Sequence, residues 1–253
     1  ENDLQLALNN KELVLHYQPQ IDLQTGKIIG LEALVRWQKP GGKLEYPKSF
    51  IGLMEETGLI VPLGEWVLHT ACAQNKAWQD AGYNPVRVAV NISSRHLHEK
   101  DITHIVSRVL EDSGLEPRFL ELELTESIFL KNLERTVKAL KVLRKLGLNI
   151  SIDDFGTGYS SLSYLKILPF DQIKIDKCFI EGIIENSTDS FIVSSVIELG
   201  RLIGIHVIAE GVETSGQYDL LRSLGCMGFQ GYYFGKPVPI NEIKNQVIQN
   251  ETH

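Results

Sequence analysis

The order of strand-like and helix-like segments along the chain is the feature that most limits its fold. Two runs of alternating apolar residues come first, Leu13–Gln20 and Lys27–Trp37, and only residues 22–26 join them. A link this short predicts an antiparallel pair. Beyond this pair, helical patterns alternate with short strands to the end of the sequence, which is typical of strand–helix units in a parallel sheet.

The second part of the chain supplies six more strands and the helices between them. These strands are predicted at Arg87–Ser93, Phe119–Thr125, Leu148–Asp153, Gln172–Asp176, His206–Glu210 and Gly228–Phe234. Helices are predicted at Asn132–Leu146, which Gly147 ends, and at Phe179–Ile203, with a possible break at residues 186–188. The pattern predicts an α/β fold, a TIM-type (β/α)8 barrel with an antiparallel first strand. A doubly wound open sheet is the alternative.

The chain contains no linker-like segment and no repeat, so we expect one domain over residues 1–253. It lacks an initiator Met, and we expect a fragment of a larger multidomain protein. Neither a membrane helix nor a signal peptide is predicted. Cys72, Cys178 and Cys226 are scattered without metal-ligand spacing, which indicates a reducing compartment. We therefore expect a cytoplasmic domain, whose parent protein could still be membrane-anchored.

Polar residues recur on one face of nearly every predicted strand, late in the strand. In a barrel this face points inward, and its late positions lie at the C-terminal mouth, where barrel enzymes have their sites. Against the bases Arg36 and Lys174 stand five acids, Glu32, Glu123, Asp153, Asp154 and Glu210. Inward charges are costly unless they are paired or bound to metal. The excess of acids therefore predicts bound cations.

The ligand types favour hard cations over zinc. Carboxylate and amide oxygens suit Mg²⁺ or Mn²⁺, and no His-x-x-x-His or Cys-x-x-Cys spacing is present. Asp153 and Asp154 end a strand and could both point at one place. A carboxylate between two ions about 3.5–4 Å apart is a recurring device for phosphodiester hydrolysis, and Lys174 could orient the water. The net charge of −7 argues against long nucleic acid as a partner.

Seven segments in these strands and the loops after them resemble the bacterial EAL domain family, which is named after its Glu-Ala-Leu motif. They follow the family's order with compatible spacing and cover essentially the whole chain. The segments are Glu32–Trp37, Val90–Ser93, Glu123–Glu126, Asp153–Leu162, Ile173–Asp176, Ala209–Glu213 and Gln230–Phe234. A lone Glu-Ala-Leu would mean little because the residues are common, whereas seven ordered segments are specific.

The resemblance implies a cyclic-di-GMP-specific phosphodiesterase that hydrolyses c-di-GMP to linear pGpG by a two-metal mechanism with metal-activated water. It implies two Mg²⁺ or Mn²⁺ ions per site, held by Glu32, Asn91, Glu123, Asp153 and Asp154, with Asp153 bridging them. The implied catalytic residues are Lys174, Glu210 and Asp154. The proton acceptor stays open between Glu210 and a metal-bound hydroxide assisted by Lys174.

The resemblance also implies substrate contacts and a supported loop. The implied substrate contacts are Gln18, Leu34, Arg36, Asp176 and Gln230. The segment Asp153–Leu162 is a Gly-rich loop that in the family links the metal site to a dimer contact, and the implied supports are Glu126, Gly156 and Gly158. Simpler interpretations stand beside these roles. Asp176 could be a helix N-cap, Glu126 a charge at a helix start, and Glu121 an ion-paired strand residue.

The expected partners are c-di-GMP, a second copy of the chain in a homodimer, and sensor or GGDEF domains in the full-length protein. Two other functions stay open. The chain could be a catalytically weak or inactive c-di-GMP receptor, or a scaffold whose barrel contacts a protein. Turnover of c-di-GMP, or its binding without turnover, would separate the three.

Overall fold

The predicted strands form one ten-stranded sheet in the computed structural model, which describes residues 2–99, 101–130, 132–157 and 167–243. In chain order they are β1 (Leu13–Asp22), β2 (Ile28–Gln38), β3 (Leu44–Glu45), β4 (Arg87–Asn91), β5 (Leu120–Thr125), β6 (Asn149–Phe155), β7 (Gln172–Ile175), β8 (His206–Glu210), β9 (Gly228–Gln230) and β10 (Val238–Pro239). The predicted positions of all eight main strands are therefore confirmed.

The sheet closes on itself because β1 pairs with β2 on one side and with β9 on the other, antiparallel to both. The strands β2, β4, β5, β6, β7, β8 and β9 are parallel to their neighbours in that order. Short β3 and β10 extend β2 and β1 at the rim. The structure is therefore a closed barrel with a reversed first strand, and the open-sheet alternative is wrong.

Helices surround this barrel. They are α1 (Asn2–Asn9), α2 (Ile51–Thr57), α3 (Ile60–Asp80), α4 (Ser94–Glu99), α5 (Ile102–Ser113), α6 (Leu133–Lys145), α7 (Lys177–Glu181), α8 (Ser187–Ile203) and α9 (Ser215–Ser223), with 3-10 turns at Pro47–Ser49, Pro117–Phe119 and Glu126–Leu130. No helix in the described part of the chain has the length and apolar character needed to cross a membrane.

Side-chain caps and left-handed glycines explain where the predicted helices begin and end. Asn132 accepts a hydrogen bond from the N–H of Arg135 at the start of α6, and Asn186 accepts one from Thr188 at the start of α8. After α8, Gly204 has a φ of 73°, a conformation that side chains with a Cβ rarely adopt. A break between α7 and α8 is thus present at residues 182–186, slightly earlier than the predicted residues 186–188, and Asn186 caps the start of α8.

The two faces of the barrel strands differ in character. Outward Leu120, Leu122 and Leu124 of β5 are fully buried under the helix layer, and each contributes about 1.5–3 kcal/mol of hydrophobic free energy. Inward Glu121 and Glu123 of the same strand are equally buried. The barrel interior is therefore polar, and its charges need partners.

The last barrel strand is shorter than predicted. It ends at Gln230 instead of Phe234, because Gly231 packs directly against the backbone of Val212 and leaves no room for a Cβ atom. The N–H groups of Phe234 and Gly235 then bond to the carbonyl of Gly231, which turns the chain. This turn places Tyr232 beside the mouth of the barrel.

Candidate active site

A fully buried lysine lies at the centre of the barrel mouth. Lys174 on β7 contacts one carboxylate from each of β2, β5, β6 and β8. Its Nζ lies 2.6 Å from Glu210 Oε1, 2.8 Å from Glu123 Oε1, 3.3 Å from Glu32 Oε2 and 3.7 Å from Asp153 Oδ1. Burial alone would lower the pKa of Lys174, but these carboxylates raise it well above its usual value. Lys174 is therefore a fixed cation.

Two amides complete the surroundings of Glu32. Asn91 Nδ2 donates to Glu32 Oε1 at 2.7 Å, and Gln230 Nε2 donates to Glu32 Oε2 at 2.5 Å. Burial would raise the pKa of Glu32, but Lys174 and these amide hydrogen bonds together lower it. Glu32 is thus held as a carboxylate whose two oxygens are both oriented.

The end of β6 brings two adjacent acids to the same place. Asp154 has a φ of 52°, which is rare for a residue with a side chain, so the regular alternation of strand faces ends there. Its N–H donates to Asp153 Oδ1 at 3.0 Å. Asp153, Asp154 and Glu210 each offer a carboxylate oxygen, and these three oxygens lie within 4.8 Å of one another. The two Asp side chains therefore converge as the sequence predicts.

Burial raises the pKa of several carboxylates in this cluster. The pKa of Asp154 rises to about 6, mainly through burial and then through the charge of Asp153. Burial raises the pKa of Glu210 to about 8, although Lys174 opposes the shift. The pKa of Glu123 is raised well above its ordinary value by burial and by Glu32. The cluster holds more negative charge than one lysine neutralises.

The donor set of this cluster fits divalent cations. Four carboxylates contact one lysine, and Asp154 adds a fifth acid to the cluster. Glu123 Oε2 is buried without a hydrogen-bond partner among the described residues. Such an acceptor is costly to bury unless it binds something positive. Oxygen atoms of Asp, Glu and Asn are the ligands that Mg²⁺ and Mn²⁺ prefer.

A cleft of about 480 Å³ opens beside the cluster, within the range of small-molecule sites. Gln18, Leu34, Arg36 and Gln230 line it. Gln230 Nε2 bonds to Gln18 Oε1 at 3.0 Å, and Gln18 Nε2 bonds to the carbonyl of Gly235 at 3.0 Å. The predicted substrate residues on β1, β2 and β9 therefore share one cleft with the acids.

Arg36 and Lys177 are the basic residues in the lining of this cleft. Arg36 is the more closely surrounded of the two. Its guanidinium is largely buried, donates to the carbonyl of Val35 at 2.8 Å and lies 5.1 Å from the centre of the Tyr46 ring. Burial lowers the pKa of Arg36, although Tyr46 and Glu32 oppose the shift. A partly desolvated arginine at the edge of a cleft is suited to an anionic ligand.

Asp176 takes part in two contacts. Its carboxylate accepts a hydrogen bond of 2.8 Å from the N–H of Cys178, so it caps α7. It also faces Asp154, which in its protonated form can donate a side-chain hydrogen bond to the Asp176 carboxylate. The N-cap interpretation and the placement next to the acid cluster therefore both hold.

Glu126 contacts the loop that follows β6. Its Oε2 accepts a hydrogen bond of 3.1 Å from the N–H of Gly156. Gly156 has a φ of 98°, and a Cβ there would lie 2.9 Å from the ring of Phe179. Gly158 lies outside the described residues. The beginning of the loop thus depends on a glycine at position 156 and on the carboxylate of Glu126.

Sequence reasoning missed one buried contact of the cluster. Gln20 on β1 is 1% exposed, and its Nε2 lies 3.3 Å from Glu123 Oε1. The only signal in the sequence is that Gln20 follows Gln18 by two residues and shares its strand face. Glu121, by contrast, pairs with Arg87 at 3.1 Å, in agreement with the structural interpretation.

Sequence comparisons give a family match over most of the chain. The model of the EAL domain family matches residues 1–237. Signaling protein YkoW of Bacillus subtilis is 44% identical over 246 residues, which are 97% of this chain and 31% of that protein. The bifunctional diguanylate cyclase/cyclic di-GMP phosphodiesterase MucR of Pseudomonas aeruginosa is 44% identical over 242 residues, 96% of this chain and 35% of that protein. The chain therefore spans about a third of the length of these curated relatives.

The barrel also matches solved structures. The structure of the PaMucR phosphodiesterase in complex with c-di-GMP is similar at a TM-score of 0.92 and 44% identity, and the match covers 96% of this chain and 98% of that chain. The likeness therefore concerns the whole barrel and not a single motif.

Proposed function

Because this chain belongs to the EAL domain family, we propose that it is a phosphodiesterase that hydrolyses c-di-GMP to linear pGpG. One observation carries the proposal: Lys174 and an excess of carboxylates converge at the barrel mouth, next to a cleft that contains Arg36. Relatives named as cyclic di-GMP phosphodiesterases and a related structure with bound c-di-GMP support the choice of substrate.

Two divalent cations, Mg²⁺ or Mn²⁺, are proposed to occupy the acid cluster. Glu32, Asn91, Glu123, Asp153 and Asp154 would hold them. When bound, the cations would supply Lewis-acid polarisation of the phosphoryl group and lower the pKa of the attacking water.

Lys174 and Glu210 then act on the attacking water. Lys174 stays protonated in its carboxylate surroundings, so it donates hydrogen bonds and does not serve as a base. In this role it orients the water and stabilises negative charge at the phosphate. Glu210, whose Oε1 lies 2.6 Å from Lys174 Nζ, is proposed to take the proton that the water loses.

The cleft residues are proposed to hold the substrate. Arg36 would pair with the phosphate that is not cut, and Gln18 and Gln230 would bond to sugar or base atoms. Leu34 would pack against a base or ribose. Asp176 would act on the reacting phosphate indirectly, by its contact with Asp154. An acidic chain can bind this anion because cations and Arg36 reverse the local field.

Incubation of the purified domain with c-di-GMP and Mn²⁺ or Mg²⁺ tests the proposal. We expect linear pGpG by liquid chromatography, and we expect Glu32→Ala to remove turnover. Unchanged c-di-GMP with both metals, at concentrations that support a dimer, would contradict the proposal. Calorimetric binding in the same sample would then identify a receptor instead of an enzyme.

Residues 1–253 are proposed to be one cytoplasmic domain of a longer protein, joined there to sensor or GGDEF domains. The length of the curated relatives supports this arrangement. We also propose a homodimer, which light scattering with metal and substrate would test.

A further inference from the structure

Glu123 uses its two oxygens very differently. Oε1 receives two donors, Lys174 Nζ at 2.8 Å and Gln20 Nε2 at 3.3 Å. Oε2 is buried and has no hydrogen-bond partner within the described ranges of the chain. Rotation of a free carboxylate would interchange Oε1 and Oε2. The two donors on Oε1 prevent this interchange, so Oε2 is the oxygen that stays without a hydrogen bond.

We propose that Gln20 is a positioning residue of the cation site, which holds Glu123 Oε1 against Lys174 and thereby leaves Oε2 for a cation. The inference rests on the proposed function only in taking Glu123 as a cation ligand. Residues that hydrogen-bond to ligand side chains orient them, and their loss typically weakens metal affinity by about 10–100-fold.

Gly30 is the structural condition for this arrangement. Gly30 on β2 is the register partner of Gln20 on β1. A Cβ at position 30 would lie 2.5 Å from Gln20 Oε1, whereas its next neighbour outside Gln20, the carbonyl of Arg87, is 3.6 Å away. The glycine therefore provides space for one particular amide, and its backbone φ is not in the left-handed region.

A second buried glutamine offers a matched control. Gln172 on β7 is also fully buried, and its Nε2 bonds to Glu121 Oε1 at 2.8 Å and not to Glu123. Removing either amide takes away one buried donor from one inward glutamate. Only the loss of Gln20 should change a cation ligand.

The test is Mn²⁺ binding to the metal-free chain by isothermal titration calorimetry, without substrate. We expect Gln20→Ala and Gln20→Met to weaken Mn²⁺ binding by about 10–100-fold, while Gln172→Ala leaves it unchanged. Gly30→Ala should weaken it as well. In the Gln20→Ala background, however, the added methyl group has room, so the double variant should bind no more weakly than Gln20→Ala alone.

Three results would overturn the inference. The first is wild-type Mn²⁺ affinity in Gln20→Met, which keeps the side-chain volume and serves if Gln20→Ala unfolds. The second is an equal loss in Gln172→Ala, which would indicate a general effect of removing a buried amide. The third is a double variant whose loss of Mn²⁺ affinity equals the combined losses of Gln20→Ala and Gly30→Ala.

The outcomes for the role of Gln20 and for the proposed function can be told apart. If the wild-type chain hydrolyses c-di-GMP while one of these results is found, the proposed function stands and only the role of Gln20 fails. A wild-type chain that binds no Mn²⁺ and leaves c-di-GMP intact would contradict both.

Discussion

Two buried glutamates of β5 lie in different layers of the barrel interior, Glu121 in the lower layer and Glu123 in the upper layer at the mouth. The charges of these two glutamates are balanced in different ways. In the lower layer, Glu121 has one arginine, Arg87, and one amide donor, Gln172. In the upper layer, Glu123 shares a single lysine with Glu32, Asp153 and Glu210. The lower layer balances its one glutamate with one arginine, whereas the upper layer has more carboxylates than its one lysine neutralises. This difference separates a structural ion pair from a candidate ligand site on the same strand.

Removal of the shared lysine should have the largest effect. Lys174→Met leaves several buried carboxylates without their cation, so we expect about 3–5 kcal/mol less free energy of unfolding in the metal-free domain. Turnover should fall by about 10²–10³-fold, because a charge-stabilising donor is lost. Urea unfolding with and without Mg²⁺, together with the pGpG assay, measures both. A variant that keeps wild-type turnover would show that Lys174 only balances charge.

The two glutamates of β5 allow a direct contrast. Glu123→Gln should reduce turnover and Mn²⁺ affinity by about 10–100-fold, since a neutral amide is a poor cation ligand. Glu121→Gln should instead cost about 1–3 kcal/mol of stability by leaving Arg87 without its acid, with turnover nearly unchanged. Parallel thermal melts and activity assays check the pair. Equal losses of turnover would contradict the separation into two layers.

The acids of the upper layer should make the stability of the domain depend on pH. Burial raises the pKa of Asp154 to about 6 and of Glu210 to about 8, so the folded domain binds these protons more tightly than the unfolded chain. The free energy of unfolding of the metal-free domain should therefore fall as pH rises from about 4, the ordinary carboxylate range, toward about 8.

Excess Mg²⁺ should oppose this loss, since cations bind the deprotonated acids. Its stabilising effect should be larger near about pH 8 than near about pH 5 and should reach about 2.7 kcal/mol at 100 times Kd. Calorimetric melts in both conditions measure it. A pH-independent effect of Mg²⁺ would place its binding outside the acid cluster.

The smallest effect is expected when both members of the buried ion pair in the lower layer are replaced by apolar residues. Arg87→Met with Glu121→Leu removes both charges together, and replacing a whole buried pair by apolar residues is often close to neutral. We expect the double variant to be more stable than Glu121→Leu alone and to keep wild-type turnover. A double-mutant cycle of unfolding free energies provides the measurement. Loss of activity in the double variant would show that the lower layer supports the upper one.

The sequence allowed the barrel, its reversed first strand and the convergence of Asp153 with Asp154 to be predicted, because each depends on local periodicity or on strand order. It could not indicate that Gln20 reaches Glu123, since that contact joins residues 103 positions apart. Nor could it show the early end of β9, which depends on Gly231 meeting the backbone of Val212.

The reversed first strand has a consequence for the order of folding. The hairpin of β1 and β2 is local, but β1 meets β9 only through pairs such as Ile21 with Phe229. Contacts so distant in sequence are slow to form. The bonds from Gln230 to Gln18 and Glu32 lie across that same seam. The cleft should therefore be completed only when the barrel closes. If the seam opens first, amide hydrogen exchange at β9 should be faster than in β4 to β8, and it would report the loss of the binding surface before those strands unfold.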